Sequence, residues 1–330
     1  MGKLSALRIG HLKIVDHLIL GFAYDGSGQA LLKHTGHLMA AVPMGSWGQI
    51  KKAFCDGDLH GAFIPLPEAM ALFESGMELK VLLYDCRPGV SLIGNSLTNI
   101  EKLKDFKGRR VLISNYLSVH HLLFYRLMAS VGLKAGLENS SHTDVYIEIV
   151  PPFIVPEMLK YDHAGDIAGC FVEDPFGSMV IKDGLGKLLL SSLQLWSNHP
   201  GSVLVLHDYV IKDYRRHLMD IIHLIVATSH FICKNSYDLG RLSRNFFDKD
   251  IKIQKSQAEN IPLKETELNN KYVSDFIFSS FLPNRANSLM PDIKSIETIN
   301  RFMVNEMGII KKIINIDELV DITFALEAGA

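Results

Sequence analysis

The sequence predicts an α/β protein built as two lobes. Short apolar runs alternate with segments of helical periodicity, which is the pattern of mostly parallel sheets covered by helices on both faces. The alternation comes in two successive runs, each shorter than a full doubly wound domain. A length of 330 residues exceeds one ordinary core and suits two lobes of typical domain size.

In the first run, Leu7–Ile14 reads as a strand. Asp16 can cap a short helix whose apolar positions are Leu18, Ile19, Phe22 and Ala23. Leu38–Val42 is a second strand, and Ser46 can cap a helix through Ile50, Ala53 and Phe54 that stops near Gly57. Gly61–Ile64 is a third strand. A helix from Pro67 to Ser75 follows, because Pro suits a first helical position, and Lys80–Leu83 is a fourth strand.

The second run repeats the pattern. Arg109–Ser114 reads as a strand and Ser118–Val131 as a helix, Val145–Ile149 as a strand and Ile154–Tyr161 as a helix. Ile167–Val172 is a strand, with a helix after Asp174. Beyond residue 212 the chain reads as largely helical, and Asn245–Asn270 as loop or irregular helix.

A net charge of −2 gives no electrostatic reason to expect nucleic acid or an anionic membrane as partner. No apolar run reaches the roughly 18 residues of a membrane-spanning helix. Ile221–Cys233 is apolar but carries His223, Thr228, Ser229 and His230, as a buried helix does. Met1–Ala6 leads into a strand without an apolar segment and cleavage site. The protein is therefore periplasmic or at the cell surface if a signal peptide was removed, and otherwise cytoplasmic. Cys55, Cys86, Cys170 and Cys233 are never within CxxC spacing, which reads as free thiols.

In open α/β sheets ligands bind beyond the carboxyl ends of the strands, where helix N-termini offer free N–H groups. That rule selects Asp16 and His17, Gly45, Ser46 and Trp47, Pro65, Ser118 and His120, and Glu173 and Asp174. Asp16, Ser46 and Ser118 are also good N-caps with no further role required. Trp47 is either core or a ring placed over a ligand. Glu173 and Asp174 can equally favour a helix start through its dipole. The sequence has no GxSxG elbow, no strand-borne GxGxxG, no phosphate-binding P-loop and no HExxH. An enzyme would have to rely on His17, His120 or Cys170.

At these positions the chain resembles the nitrate/bicarbonate/sulfonate solute-binding proteins of ABC importers. The resemblance rests on an ordered series: Leu7-Arg8-Ile9-Gly10 with Asp16-His17; Ser46-Trp47; Gly57–Ala62 with Pro65-Leu66-Pro67; and Gly89-Val90-Ser91-Leu92. It continues through Phe106–Val111, Ser118-Val119-His120, Val150-Pro151-Pro152, Cys170–Phe176 and Trp196–Pro200. It covers roughly residues 7–235. Pro88, Phe176 and Asp183 depart from it, standing where the subgroup has Gln, Trp and Lys.

The resemblance implies a two-lobed periplasmic-binding-protein-like (class II) fold with a ligand cleft between lobes, lobe one comprising 1–92 and 200–330 and lobe two 93–199. It implies capture of a small solute by lobe closure without chemistry. The partners would be the solute and a membrane permease, with no cofactor, no metal and a monomeric chain. The ligand-binding residues would be Asp16, His17, Ser46, Trp47, Pro65, Gly89, Ser118, His120, Glu173 and Asp174. The alternative is a cytoplasmic ligand sensor, or a thiamin-pyrimidine-related enzyme of the same fold, although the Cys-rich signature of the latter is absent.

Overall fold

A computed structural model describes residues 6–25, 39–85, 89–138, 142–234, 246–247 and 289–330, except the side chains of 24–25 and 233–234. The expectations for Cys86, Pro88, the Cys233 thiol and most of Asn245–Asn270 lie outside the described residues.

The chain opens with β1 (Leu7–His11), a 3-10 turn at Val15–His17 and α1 (Leu18–Asp25). β2 (Met39–Pro43), α2 (Trp47–Cys55), β3 (Gly61–Pro65), α3 (Leu66–Glu74) and β4 (Leu79–Tyr84) follow. Next come β5 (Ser91–Asn95), β6 (Arg110–Ile113), α4 (Val119–Ser130), β7 (Ala135–Leu137), β8 (Val145–Ile149) and α5 (Val155–Tyr161). β9 (Ile167–Val172), α6 (Phe176–Lys182), β10 (Gly186–Ser191), α7 (Ser192–Leu195) and β11 (Ser202–His207) complete the two sheets. α8 (Asp208–Lys234), kinked at Tyr214, precedes α9 (Ile293–Asn305), α10 (Ile316–Leu319) and α11 (Thr323–Ala328). No helix among the described residues is long and apolar enough to cross a membrane.

The chain forms two compact units, Met1–Pro88 with Pro200–Ala330, and Gly89–His199. The sheet of the first runs β2-β1-β3-β11-β4. β1 pairs parallel with β2 and β3, whereas β11 lies antiparallel between β3 and β4. Its core joins Ile9, Leu18, Phe63, Leu82 and Leu204 to Ile221, Ile225 and Phe324. Each such buried side chain contributes about 1.5–3 kcal/mol. Ile221–Cys233 lies within α8, with Ile221, Ile222 and Ile225 buried and His223 and His230 exposed.

The second unit's sheet runs β10-β5-β9-β6-β8-β7 around a core of Leu92, Phe106, Phe124, Ile147 and Phe171. β5 and β10 are its antiparallel strands. Gly89–Leu92, assigned to lobe one from sequence, fall in this unit, because Ser91 and Leu92 pair with Val172 and Phe171.

Two local expectations are corrected. β1 stops at His11 rather than Ile14, because the Leu12 amide turns to the His17 ring instead of a neighbouring strand. Asp16 is not a helix cap. It lies inside the 3-10 turn that starts after Ile14, where no side chain caps.

Candidate functional site

Among the described residues, each unit carries a buried polar cluster beyond the carboxyl ends of its parallel strands. In the first unit, the residue following β1 begins a turn that buries Asp16 and His17, both below 4% exposed. Trp47 opens α2 and is 5% exposed. Ser46 caps that helix by accepting the Gln49 amide at 3.2 Å, and the Gln49 side chain accepts the Gly45 amide at 2.8 Å. The His17 ring meets Trp47 edge-on at 5.5 Å and lies 5.3 Å from Phe63 on β3.

Two further groups join this cluster. Asp85 follows β4 and accepts the Ser202 amide at 3.2 Å. Gly201 precedes β11, and a methyl there would stand 3.2 Å from Asp85 Oδ1 and 3.7 Å from Asp16 Oδ2. The antiparallel direction of β11 creates this neighbourhood, bringing its first residues beside Pro65 and Tyr84, where β3 and β4 end.

Hydrogen bonding fixes the His17 ring. The Leu12 N–H donates to His17 Nδ1 at 2.9 Å. The Leu12 carbonyl lies 2.9 Å from His11 Nδ1 and 3.3 Å from His17 Nδ1. The bond from the Leu12 amide makes His17 Nδ1 an acceptor, which assigns the proton to Nε2. Burial first, then neighbouring His11, holds the imidazole well below its ordinary pKa, so it is neutral near pH 7. His17 Nε2 and Trp47 Nε1 are buried and have no hydrogen-bond partner among the described residues.

In the second unit, Glu173 and Asp174 follow β9 and are 1% and 2% exposed. Ser114, just after β6, donates to Glu173 Oε1 at 2.5 Å. His120, in the first turn of α4, places Nδ1 3.8 Å from the same oxygen. Burial and then His199 hold the His120 pKa well below 6.5, so the contact with Glu173 is not an ion pair near neutral pH. His199 shares a 2.7 Å hydrogen bond with Ser192, whose hydroxyl also accepts the Val90 amide at 2.9 Å. Asp174 Oδ1 accepts the Ser178 amide and hydroxyl at 2.9 and 2.7 Å. Burial nevertheless pushes its carboxyl up to about 7, aided by Glu173 and opposed by Ser178.

The structure thus gathers Asp16, His17, Trp47 and Pro65 in one unit and His120, Glu173 and Asp174 in the other. Ser118 accepts the His121 amide and donates to the Asn115 carbonyl, so its hydroxyl is committed to a helix cap. Ser46 likewise caps α2. Gly89 has φ +86°, and a methyl there would lie 2.6 Å from Leu193, so its glycine serves the backbone. Cys170 is buried, and burial pushes its thiol far above the reactive range, which argues against it as a nucleophile. Among the described residues no group of three or more His, Cys, Asp or Glu is placed to hold a metal ion.

Asp85, Gly201, Ser114 and His199 were not singled out from sequence. The strand-end rule reaches Asp85 if applied to β4 and Ser114 if applied to β6. Gly201 requires knowing that β11 is antiparallel.

The fold is shared by solved substrate-binding proteins of ABC importers. The ligand-binding component of an ABC-type import system from Staphylococcus aureus, with zinc bound, aligns with a TM-score of 0.74 at 18% identity, covering 98% of this chain and 99% of that one. The periplasmic nitrate-binding protein NrtA from Synechocystis aligns at 0.66 and 14% identity, covering 99% and 89%. A desulfurization enzyme, DSZB, shares the fold at 0.63 and 11%, covering 99% of both chains. These likenesses concern the fold. Residues 2–238 match the NMT1-like family, and the chain belongs to that family. The bicarbonate transport ATP-binding protein CmpC of Synechocystis is 26% identical over 239 residues, 68% of this chain and 35% of that protein. The chain therefore spans about a third of that relative's length.

Proposed function

We propose that this chain is the solute-binding component of an ABC importer, capturing a small solute of the nitrate, bicarbonate or sulfonate type. Its partners would be that solute and a membrane permease with its ATPase. It would act as a monomer in the periplasm or at the cell surface, without catalysis. Family membership and the fold support this reading. The single observation that carries it is the pair of buried ring nitrogens, His17 Nε2 and Trp47 Nε1, that have no hydrogen-bond partner among the described residues. A buried donor left unsatisfied costs about 1–3 kcal/mol, which a bound acceptor recovers. The ligand-binding residues would be Asp16, His17, Trp47 and Pro65, with His120, Glu173 and Asp174. Ser46, Ser118 and Gly89 would support them through the backbone.

Native mass spectrometry of the purified protein tests this, together with thermal-shift assays using nitrate, bicarbonate and short alkanesulfonates. A retained small molecule or a concentration-dependent rise in Tm is expected. No retained mass and no shift with any of these solutes would contradict the proposal.

A further inference from the structure

We infer that His60 is an acid-sensitive clasp at the start of the first unit's sheet, where a proton on its ring releases Arg8, the start of β1, from β3. The register of these two parallel strands is short, pairing Ile9 with Gly61 and Gly10 with Ala62. His60, one residue before β3, extends it with two bonds to Arg8. The His60 amide donates to the Arg8 carbonyl at 2.9 Å, and His60 Nδ1 accepts the Arg8 amide at 2.9 Å. The His60 carbonyl accepts the His207 amide at 3.2 Å, so one residue ties the adjacent strands β1, β3 and β11 together. A main-chain amide can only donate, which keeps the lone pair on His60 Nδ1 and the proton on Nε2. A second proton must therefore go to Nδ1. There it faces the Arg8 N–H, donor against donor, and that bond is lost.

The surroundings reinforce this response. Among the described residues, the titratable groups around the ring are Arg8 on β1, His207 on β11 and, stacked on His207, Tyr209 at the start of α8. The carboxylates of this end act on lysines instead: Asp56 and Asp58 on Lys52, Glu68 on Lys51, and Asp208 and Glu78 on Lys212. Burial, then Arg8, then His207 hold the His60 pKa below 6.5. His207 differs in kind. Its Nε2–H donates to the Phe54 carbonyl at 3.0 Å, and its ring stacks on Phe54 at 4.1 Å. A proton arriving at His207 Nδ1 leaves that bond intact. Of the two histidines, His60 is the one that exchanges a main-chain bond for its charge. The open clasp takes its proton near the ordinary 6.5 and the closed clasp only below it. The clasp is therefore closed above pH 6.5 and yields as pH falls.

Nitrogen-15 NMR and amide hydrogen exchange of the full chain, without added solute, provide the test. His60→Asn keeps an oxygen near the place of Nδ1 for the Arg8 amide but cannot take a proton, and it also assigns the His60 ring signals. His207→Gln keeps an N–H for the Phe54 carbonyl and serves as the control. The Met44 amide, bonded to the His11 carbonyl at the other end of β1, is the internal reference. At pH 7.5 the His60 ring should report the Nε2–H tautomer. Between pH 7.5 and pH 5.5, the Arg8 protection factor should fall at least about 3-fold relative to Met44, with linkage limiting the fall to about 10-fold. In His60→Asn that ratio should stay flat, and in His207→Gln most of the fall should remain.

An Nδ1–H tautomer at His60 would overturn the clasp, as would an Arg8 amide without protection at pH 7.5. A wild-type ratio of Arg8 to Met44 protection that holds constant across the range would also overturn it, and this needs no variant to fold. So would a fall that persists in His60→Asn, or one that disappears in His207→Gln, which would assign the titration to His207.

Discussion

The Asp174 carboxyl offers a quantitative test of how the second polar cluster is built. It is 2% exposed and beside Glu173, and burial holds it protonated up to about 7 against an ordinary value of 3.8. Between those two values the native state keeps a proton that the unfolded chain has released. The stability contributed by this group is therefore complete below about pH 4 and is lost as pH rises to about 7. At about 1.36 kcal/mol per pH unit, the whole loss is on the order of 4 kcal/mol, and roughly 3 kcal/mol of it falls between pH 5 and pH 8. Asp174→Asn cannot ionise and retains an oxygen for the Ser178 amide and hydroxyl. Urea melts of both proteins from pH 5 to pH 8 should show the variant gaining on the wild type by about 3 kcal/mol across that range. Comparing the two proteins cancels the titration of distant groups. Parallel stability profiles, differing by less than about 0.5 kcal/mol at every pH, would refute the argument that burial governs this carboxyl.

Burial acts with the opposite sign on His120. Its pKa is depressed in the native state, by burial and then by His199, so stability is present above about 6.5 and is lost as pH falls below it. His120→Gln should shrink the loss measured by melts between pH 7 and pH 5.5. Ser46→Ala should cost about 1 kcal/mol in a denaturant melt, the value of an N-cap. Gly169→Ala would bring a methyl to 2.0 Å from the Ile93 carbonyl and force β5 from β9, costing about 3 kcal/mol or more by thermal melt.

Much of the fold was legible because buried parallel strands appear as continuous apolar runs between turn signals. β8 and β9 begin and end where the sequence places them. β7 was missed because three residues carry no periodicity. β10 was missed because it is an edge strand whose Lys187 and Leu188 are exposed, which blurs the alternation. The site shows the same division. His17, Trp47 and Glu173 lie just beyond strand or at helix starts, where a local rule finds them. Gly201 joins Asp85 and Asp16 only because β11 runs against its neighbours, a long-range fact that no local pattern encodes. The His17 tautomer was equally hidden, since it depends on a main-chain amide turned off the end of β1.

The proposal of binding without chemistry is tested most directly by isothermal titration calorimetry with nitrate, bicarbonate and methanesulfonate, with analysis of the recovered solute. The account predicts one saturable site per chain for at least one of them, heat that returns to baseline after each injection, and solute recovered unchanged. Heat that persists after saturation, with conversion of the solute, would contradict it and make this chain an enzyme.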